Sequence, residues 1–378
     1  MEIARQTAGG QHRIAGATRP RSALIDVGKG LGILLVVLGH NPWFGDHLPW
    51  LDELIGTFRL PLFFFLAGVT FPAGRGVAET ARRRADALLK PYAVVVLAYA
   101  LTHAGRPDIT VESTLLALVY ATGFTLVWVP MWFLPHLWLI SVGAAAYLRW
   151  LSPWLRSAGA RAAVLAVMAA AGAAVIRRFH NPVDDAACMH HVRFSADLLA
   201  CGLPFSADVA LLSGFFFLAG HHLKSGVWRF KLTPWRLAMA ALVFTTLWFG
   251  FHQTLNFNFR SYGHGLITPV QALAAIYLVL ALCQAMARWE WLRRLLAHAG
   301  RSSLFILMFH SPVQSKVLGW LLRWHLPGAL SMVLAFAAAV GASIALWELV
   351  RRQPVLSRLL LPSPHASPPP SWGARTQP

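Results

Sequence analysis

The chain has 378 residues, 57% of them hydrophobic and only 13% charged, with a net charge of +18 and a mean hydropathy of +0.54. A soluble domain usually carries about 25% charged residues, so this chain has too few to cover a water-exposed surface, and hydrocarbon is the solvent its composition fits. Lys and Arg fall in short clusters between apolar runs, which reads as membrane topology under the positive-inside rule and excludes a nucleic-acid footprint.

Residues 1–22 are polar and carry Arg5, Arg13, Arg19 and Arg21, and the first apolar run lacks a signal-peptide cleavage site. Apolar runs follow at 23–40, 54–71, 91–103 (with an amphipathic approach from Arg84), 131–148, 162–177, 207–223, 237–253, 266–287, 302–322 and 329–349. Each is near the ~20 residues that cross a bilayer as a helix, and none shows the alternation of a barrel strand. Hydrocarbon offers the backbone no partner, so helices are the structure that satisfies it. The expected fold is all-α integral membrane, of about ten transmembrane helices, with both termini cytoplasmic. Segment 113–128 is also apolar. A full crossing there would move Arg149, Arg156 and Arg161 outside, so it is expected as a re-entrant or interfacial helix.

This topology places 41–53, 104–130, 178–206, 254–265 and 323–328 on the outer side. The 178–206 loop carries Asp184, Asp185, His190, His191, Arg193 and Asp197, and the 254–265 loop carries Asn256, Asn258, Arg260, Tyr262 and His264. Such side chains suit carbohydrate hydroxyls and equally suit any exposed loop. The cysteines, Cys188, Cys201 and Cys283, show no metal-ligand spacing. Cys188 and Cys201 can pair if they share an oxidising compartment. No internal repeat is apparent. The chain therefore divides into a basic cytoplasmic tail (1–22), a transmembrane domain (23–350) and a disordered Pro/Ser-rich cytoplasmic tail (351–378).

The first span holds the strongest chemical signal. It carries Asp26, Lys29 and His40 inside an apolar helix, where each is costly unless paired or facing water. At about 100° per residue, Lys29 and His40 return to within ~20° of one face and Asp26 lies within ~60° of both. The stripe covers about 20 Å of helix. Gly28, Gly30, Gly32 and Gly39 allow close approach of backbone or ligand. A boundary ion pair with an interfacial histidine would use the same residues. The second span adds Arg59 and Pro61 among phenylalanines, and that proline leaves a carbonyl in need of another partner.

These residues carry a resemblance. Asp26-x-x-Lys29-Gly30, then His40, then Phe58-Arg59-x-Pro61-Leu62-Phe63-Phe64-Phe65-x-x-Gly68 resembles acyltransferase family 3, in particular its branch of fucose 4-O-acetylase-like and exopolysaccharide acetyltransferases. Leu88-Leu89-x-Pro91-Tyr92, Trp132-Phe133-Leu134-Pro135, Ser213–Gly220, Gly300-x-Ser302-Ser303-Leu304 and His310-Ser311-Pro312-Val313 are similar to later blocks of the family, in its order. The likeness covers roughly residues 21–350. Two positions depart from it: Arg59 stands where the family often has histidine, and Ala87 where it often has a second basic residue.

The resemblance implies about ten transmembrane helices, an acyl-CoA donor (usually acetyl-CoA), saccharide or lipid-linked saccharide acceptors, a bacterial inner membrane, and essential roles for Lys29 and His40. O-acyl transfer needs a base and a stabilised oxyanion. His40 suits the base, or a transient acyl carrier. Lys29 suits the donor end with Asp26 holding it, and Arg59 suits oxyanion or acceptor contact. His310 is a second cavity contact or an inter-helix hydrogen bond. His136 is a candidate for the outer pocket, Trp132 for sugar stacking or the aromatic belt, and Arg83 and Arg84 for donor phosphates. No metal and no nucleic acid are expected, and membrane lipids are the surrounding partner. A proton-coupled saccharide or lipid-carrier transporter uses the same stripe without covalent chemistry. A non-catalytic membrane subunit would tolerate loss of Lys29 and His40.

Overall fold

In the computed structural model, which describes residues 22–179, 188, 193–194 and 197–363, every expected apolar run is helical. The chain begins with α1 (Ala23–Leu38), the short α2 (Pro42–His47) and α3 (Pro49–Val69). A continuous stretch then runs through α4 (Val77–Arg84), a π-helical turn and α5 (Lys90–Thr102). Next come α6 (Val111–Leu115), α7 (Phe133–Ala146), α8 (Ala158–Ile176), α9 (Asp197–Cys201) and α10 (Ala210–Trp228). The last part holds α11 (Pro234–Phe251), the two-residue strands β1 (Leu255–Asn256) and β2 (Ser261–Tyr262), and α12 (Ile267–Met286). It ends with α13 (Glu290–Arg301), α14 (Ser303–Arg323), α15 (Gly328–Arg352) and α16 (Pro354–Leu360).

Among the described residues, seven helices are long and apolar enough to cross a membrane. α1 falls outside that set because it has 16 residues, and α3 carries Asp52, Glu53 and Arg59. Large side chains such as Phe249 (82% exposed), Leu101 (78%) and Val167 (66%) face outward. In water such a surface would be an aggregation liability, whereas lipid solvates it.

Two glycine contacts set the packing. Phe63–Gly68 on α3 and Phe215–Gly220 on α10 share the sequence FFFLAG, a short repeat that the sequence analysis did not register. A Cβ on Gly68 would lie 1.8 Å from the Phe217 carbonyl oxygen, and one on Gly220 would lie 2.0 Å from that of Phe65. The contacts are reciprocal, so the two helices meet backbone to backbone about a local twofold relation. At the other end of α1, a Cβ on Gly30 would lie 1.9 Å from the Leu296 carbonyl oxygen, and one on Gly300 would lie 2.3 Å from that of Asp26. Glycine at both positions lets the amphipathic α13, with Trp291 and Leu295 exposed, lie against α1 as an interfacial helix. The stretch 288–301, between the expected spans 266–287 and 302–322, is therefore largely this helix.

Segment 113–128 is not one continuous helix. The helical part, Val111–Tyr120, is too short to cross a bilayer, and Ala121, at φ 56°, ends it in a left-handed turn. The outer loops differ from the expected exposed polar surface. Arg260, Asn258 and Tyr262 are buried. Arg260 Nε donates to Asp208 Oδ2 at 2.9 Å with neither side chain exposed, and its guanidinium lies 4.8 Å from the centre of the Phe124 ring. The Leu203 N–H donates to Asp208 Oδ1 at 2.8 Å, and the Tyr120 hydroxyl donates to the Gly202 carbonyl at 2.6 Å. Cys188 and Cys201 form a disulfide. Asp184, Asp185, His190 and His191 lie outside the described residues, as do residues 1–21 and 364–378. The tail expected to be disordered from 351 instead continues α15 to Arg352, adds α16, and reaches Ser363, whose backbone N–H donates to Asp86 Oδ2 at 2.6 Å.

Candidate functional site

The polar stripe of α1 forms one wall of a cavity of about 480 Å³. Asp26, Lys29, Ile33 and Val36 line it, at intervals of three and four residues that keep them on one helix face. Along α1 the lining runs from Ser22 to Val36, about 20 Å of helix. One end is basic: Lys29, Arg84 and Arg301 gather there with Asp26 and Pro362. The other is apolar, walled by Leu60 and Phe63 of α3, Phe133 and Leu134 of α7, and Leu307 of α14.

His40 lies just beyond this apolar end. α1 stops at Leu38, and His40 Nδ1 sits 2.8 Å from the Val36 carbonyl oxygen. A carbonyl only accepts, so Nδ1 carries the proton and Nε2 keeps its lone pair. His310 repeats the arrangement on α14: its Nδ1 donates to the Ile306 carbonyl at 2.7 Å, and its Nε2 is buried with no hydrogen-bond partner among the described residues. The two imidazoles meet edge to face, with centroids 5.2 Å apart. Gln314, one turn after His310, and the Asn41 side-chain oxygen are also buried and unpartnered among the described residues. Buried polar groups are normally hydrogen-bonded; here several open ones stand beside two facing imidazoles, which leaves acceptor and donor capacity at one place.

Arg59 completes the cluster. A Cβ on Gly39 would lie 1.3 Å from Arg59 Nη1, so the guanidinium occupies a hollow that only glycine provides. Asp52 holds it at 3.1 Å. The next turns are loosened in parallel, since Pro61 follows Arg59 and Pro312 follows His310 by two residues, each removing one helical N–H.

The remaining candidates separate. Arg84 reaches the cavity and lies 5.6 Å from the centre of the Phe71 ring. Arg83 instead pairs with Glu79 at 2.8 Å and does not line the cavity. His136 is fully buried, with Nδ1 donating to the Phe205 carbonyl at 2.8 Å and Nε2 2.7 Å from the Ser213 hydroxyl. Both nitrogens are used, so His136 ties α7 to α10 instead of facing an outer pocket. Trp132 is buried against Phe133 and His136, which leaves no open ring face for a sugar and places it away from an aromatic belt. Sequence reasoning missed Arg301, Asn41, Asp52 and Gln314. For Arg301, its place directly after Gly300, within the Gly300-x-Ser302 block, is the signal that could have found it.

The model of acyltransferase family 3, an acyltransferase domain, matches residues 23–348, nearly the whole chain. No curated protein matches, and no solved structure does.

Proposed function

We propose, from the premise that the chain belongs to acyltransferase family 3 and is a membrane acyltransferase, that it moves an acetyl group from cytoplasmic acetyl-CoA to a saccharide hydroxyl at the outer side. The observation that carries this reading is the cavity along α1, basic at one end, with the His40–His310 pair just past its other end.

Lys29, Arg84 and Arg301 supply cations for the donor phosphates, and the narrow apolar length beyond them suits the pantetheine arm and thioester. His40 Nε2 takes the proton of the attacking hydroxyl as the new C–O bond forms. Arg59 stabilises the charge that develops on the carbonyl oxygen. The C–S bond then breaks, and the proton on His40 passes to the departing thiolate. His310, with its own Nε2 open, orients His40 or the acceptor. Asp26 does not reach His40 and keeps its place at the donor end.

The test is release of CoA thiol from acetyl-CoA by purified protein in lipid, with and without a crude saccharide extract. Saccharide-dependent release that disappears in His40→Ala supports both the reaction and the base. Release that survives the substitution moves the base to His310, and none under any extract removes the reading.

A further inference from the structure

The molecule holds a second cavity, of about 360 Å³, between α5, α6 and the 122–131 segment. Neither the donor path nor the histidine pair uses it. Its lining is mostly hydrocarbon and aromatic, with Val96, Ala117, Leu126 and Trp128 among the residues that form it. Its polar residues are Asp108, Ser113 and Thr114 on one segment, with Tyr99 and Thr125 elsewhere. The Ser113, Thr114 and Thr125 hydroxyls are already committed to the Asp108, Thr110 and Thr122 carbonyls at 3.0, 2.8 and 3.1 Å. An apolar trough with few uncommitted polar groups is the form of a site for an aliphatic chain.

The surroundings say from which medium the occupant arrives. Val111, Leu115, Val119 and Val127 beside the cavity are all more than half exposed. They belong to the short interfacial segment that cannot span and to the loop after it, so the mouth is rimmed by side chains that face lipid. Free polysaccharide in water has no affinity for such a rim.

Position ties the cavity to the chemistry. The Trp128 ring lies 6.2 Å from the Phe309 ring, next to His310 in sequence. Met131 lines this cavity while Phe133 and Leu134 line the donor cavity. One short segment is therefore the partition between the two, and both abut the turn of α14 that carries His310.

We infer that this cleft holds the hydrocarbon chain of a lipid-linked saccharide acceptor, which enters from the outer leaflet with its sugar directed toward His40. This rests on the acyltransferase reading and narrows its acceptor to one class. The chain partitions into the bilayer, which brings the acceptor to the lipid-facing mouth at a concentration that a free sugar in water does not reach.

The experiment has two arms on the full-length protein in lipid. In the first, a decyl glucoside carrying a diazirine in its chain is photo-crosslinked and the labelled peptides are mapped, with no turnover required. Labelling of 95–100 or 108–131 that excess decyl glucoside removes, but equal phosphatidylglycerol does not, is the expected result. It is lost in Ala117→Trp and in the milder Ala100→Trp, which fill the cleft. Labelling elsewhere, or equal displacement by phosphatidylglycerol, overturns the inference. In the second arm, acetyl transfer is compared for decyl and methyl glycosides over a panel of sugars. The decyl form is expected to have a KM lower by at least about tenfold, and the ratio of the two KM values to fall toward one in Ala100→Trp. Equal KM values overturn the inference. Specific labelling with no transfer to any sugar keeps the cleft and removes the acyltransferase reading instead.

Discussion

Two buried polar assemblies in this protein are built on opposite terms. Between the 203–209 segment and the β1–β2 hairpin, Asp208 and Arg260 are fully enclosed, and the carboxylate accepts from Arg260 through both oxygens and from the Leu203 N–H. Arg260 also donates to the Asn258 carbonyl at 2.7 Å and lies over Phe124. At the apolar end of the α1 cavity, His40 and His310 each spend Nδ1 on their own helix backbone, and the His310 Nε2 and the Gln314 amide stay unpartnered among the described residues. In the first the ion pair itself is closed and joins the 203–209 segment to the β1–β2 hairpin, while the Ser206 and Tyr262 hydroxyls and the Asn258 side-chain oxygen around it are buried without a partner among the described residues. The second is open, with capacity that protein atoms leave unused. His136 and His310 make the same contrast between two buried histidines, one with both nitrogens bonded and one with a free acceptor.

Substitutions break this contrast in different ways. His40→Ala is expected to lower kcat for acetyl transfer by about 10²–10⁴-fold, the usual worth of a positioned base, with no change in melting temperature in detergent. Asp208→Ala is expected to do the reverse. It leaves a buried guanidinium unpaired, which costs about 3–5 kcal/mol, and thermal unfolding should show that loss while the folded fraction keeps its kcat. If His40→Ala unfolds the protein, or Asp208→Ala is thermally silent, the division into open and closed assemblies fails.

Smaller effects sharpen it. His310→Ala is expected to lower kcat by about tenfold to a hundredfold, the worth of one hydrogen bond to a charged group, with its single-turnover rate falling by the same factor. Arg301→Ala should raise the KM for acetyl-CoA by about tenfold at low salt, a difference that narrows as salt screens the mouth. An unchanged KM would take Arg301 out of the donor site. Ser213→Ala is expected to cost about 1 kcal/mol of stability by removing the His136 partner, with steady-state kinetics unaltered.

Much of this was legible in the residues. The stripe of Asp26 and Lys29 was visible because helical periodicity is local, and the structure places both on the cavity wall together with Ile33 and Val36. The closeness of His40 to His310 was not legible, since nothing in either helix states which face of α14 meets the end of α1. Arg260 was read as an exposed loop residue because a loop sequence does not announce that Asp208 will enclose it.

What the sequence determined by itself is the solvent, the helices and the polar face of α1. Each follows from hydropathy, charge clusters and spacing within a few turns of chain. Only the tertiary structure decided which buried polar groups are closed and which are open. Hydrogen-bond satisfaction depends on atoms that approach from distant parts of the chain: Phe205 and Ser213 for His136, Asp208 for Arg260, and none among the described residues for the His310 Nε2.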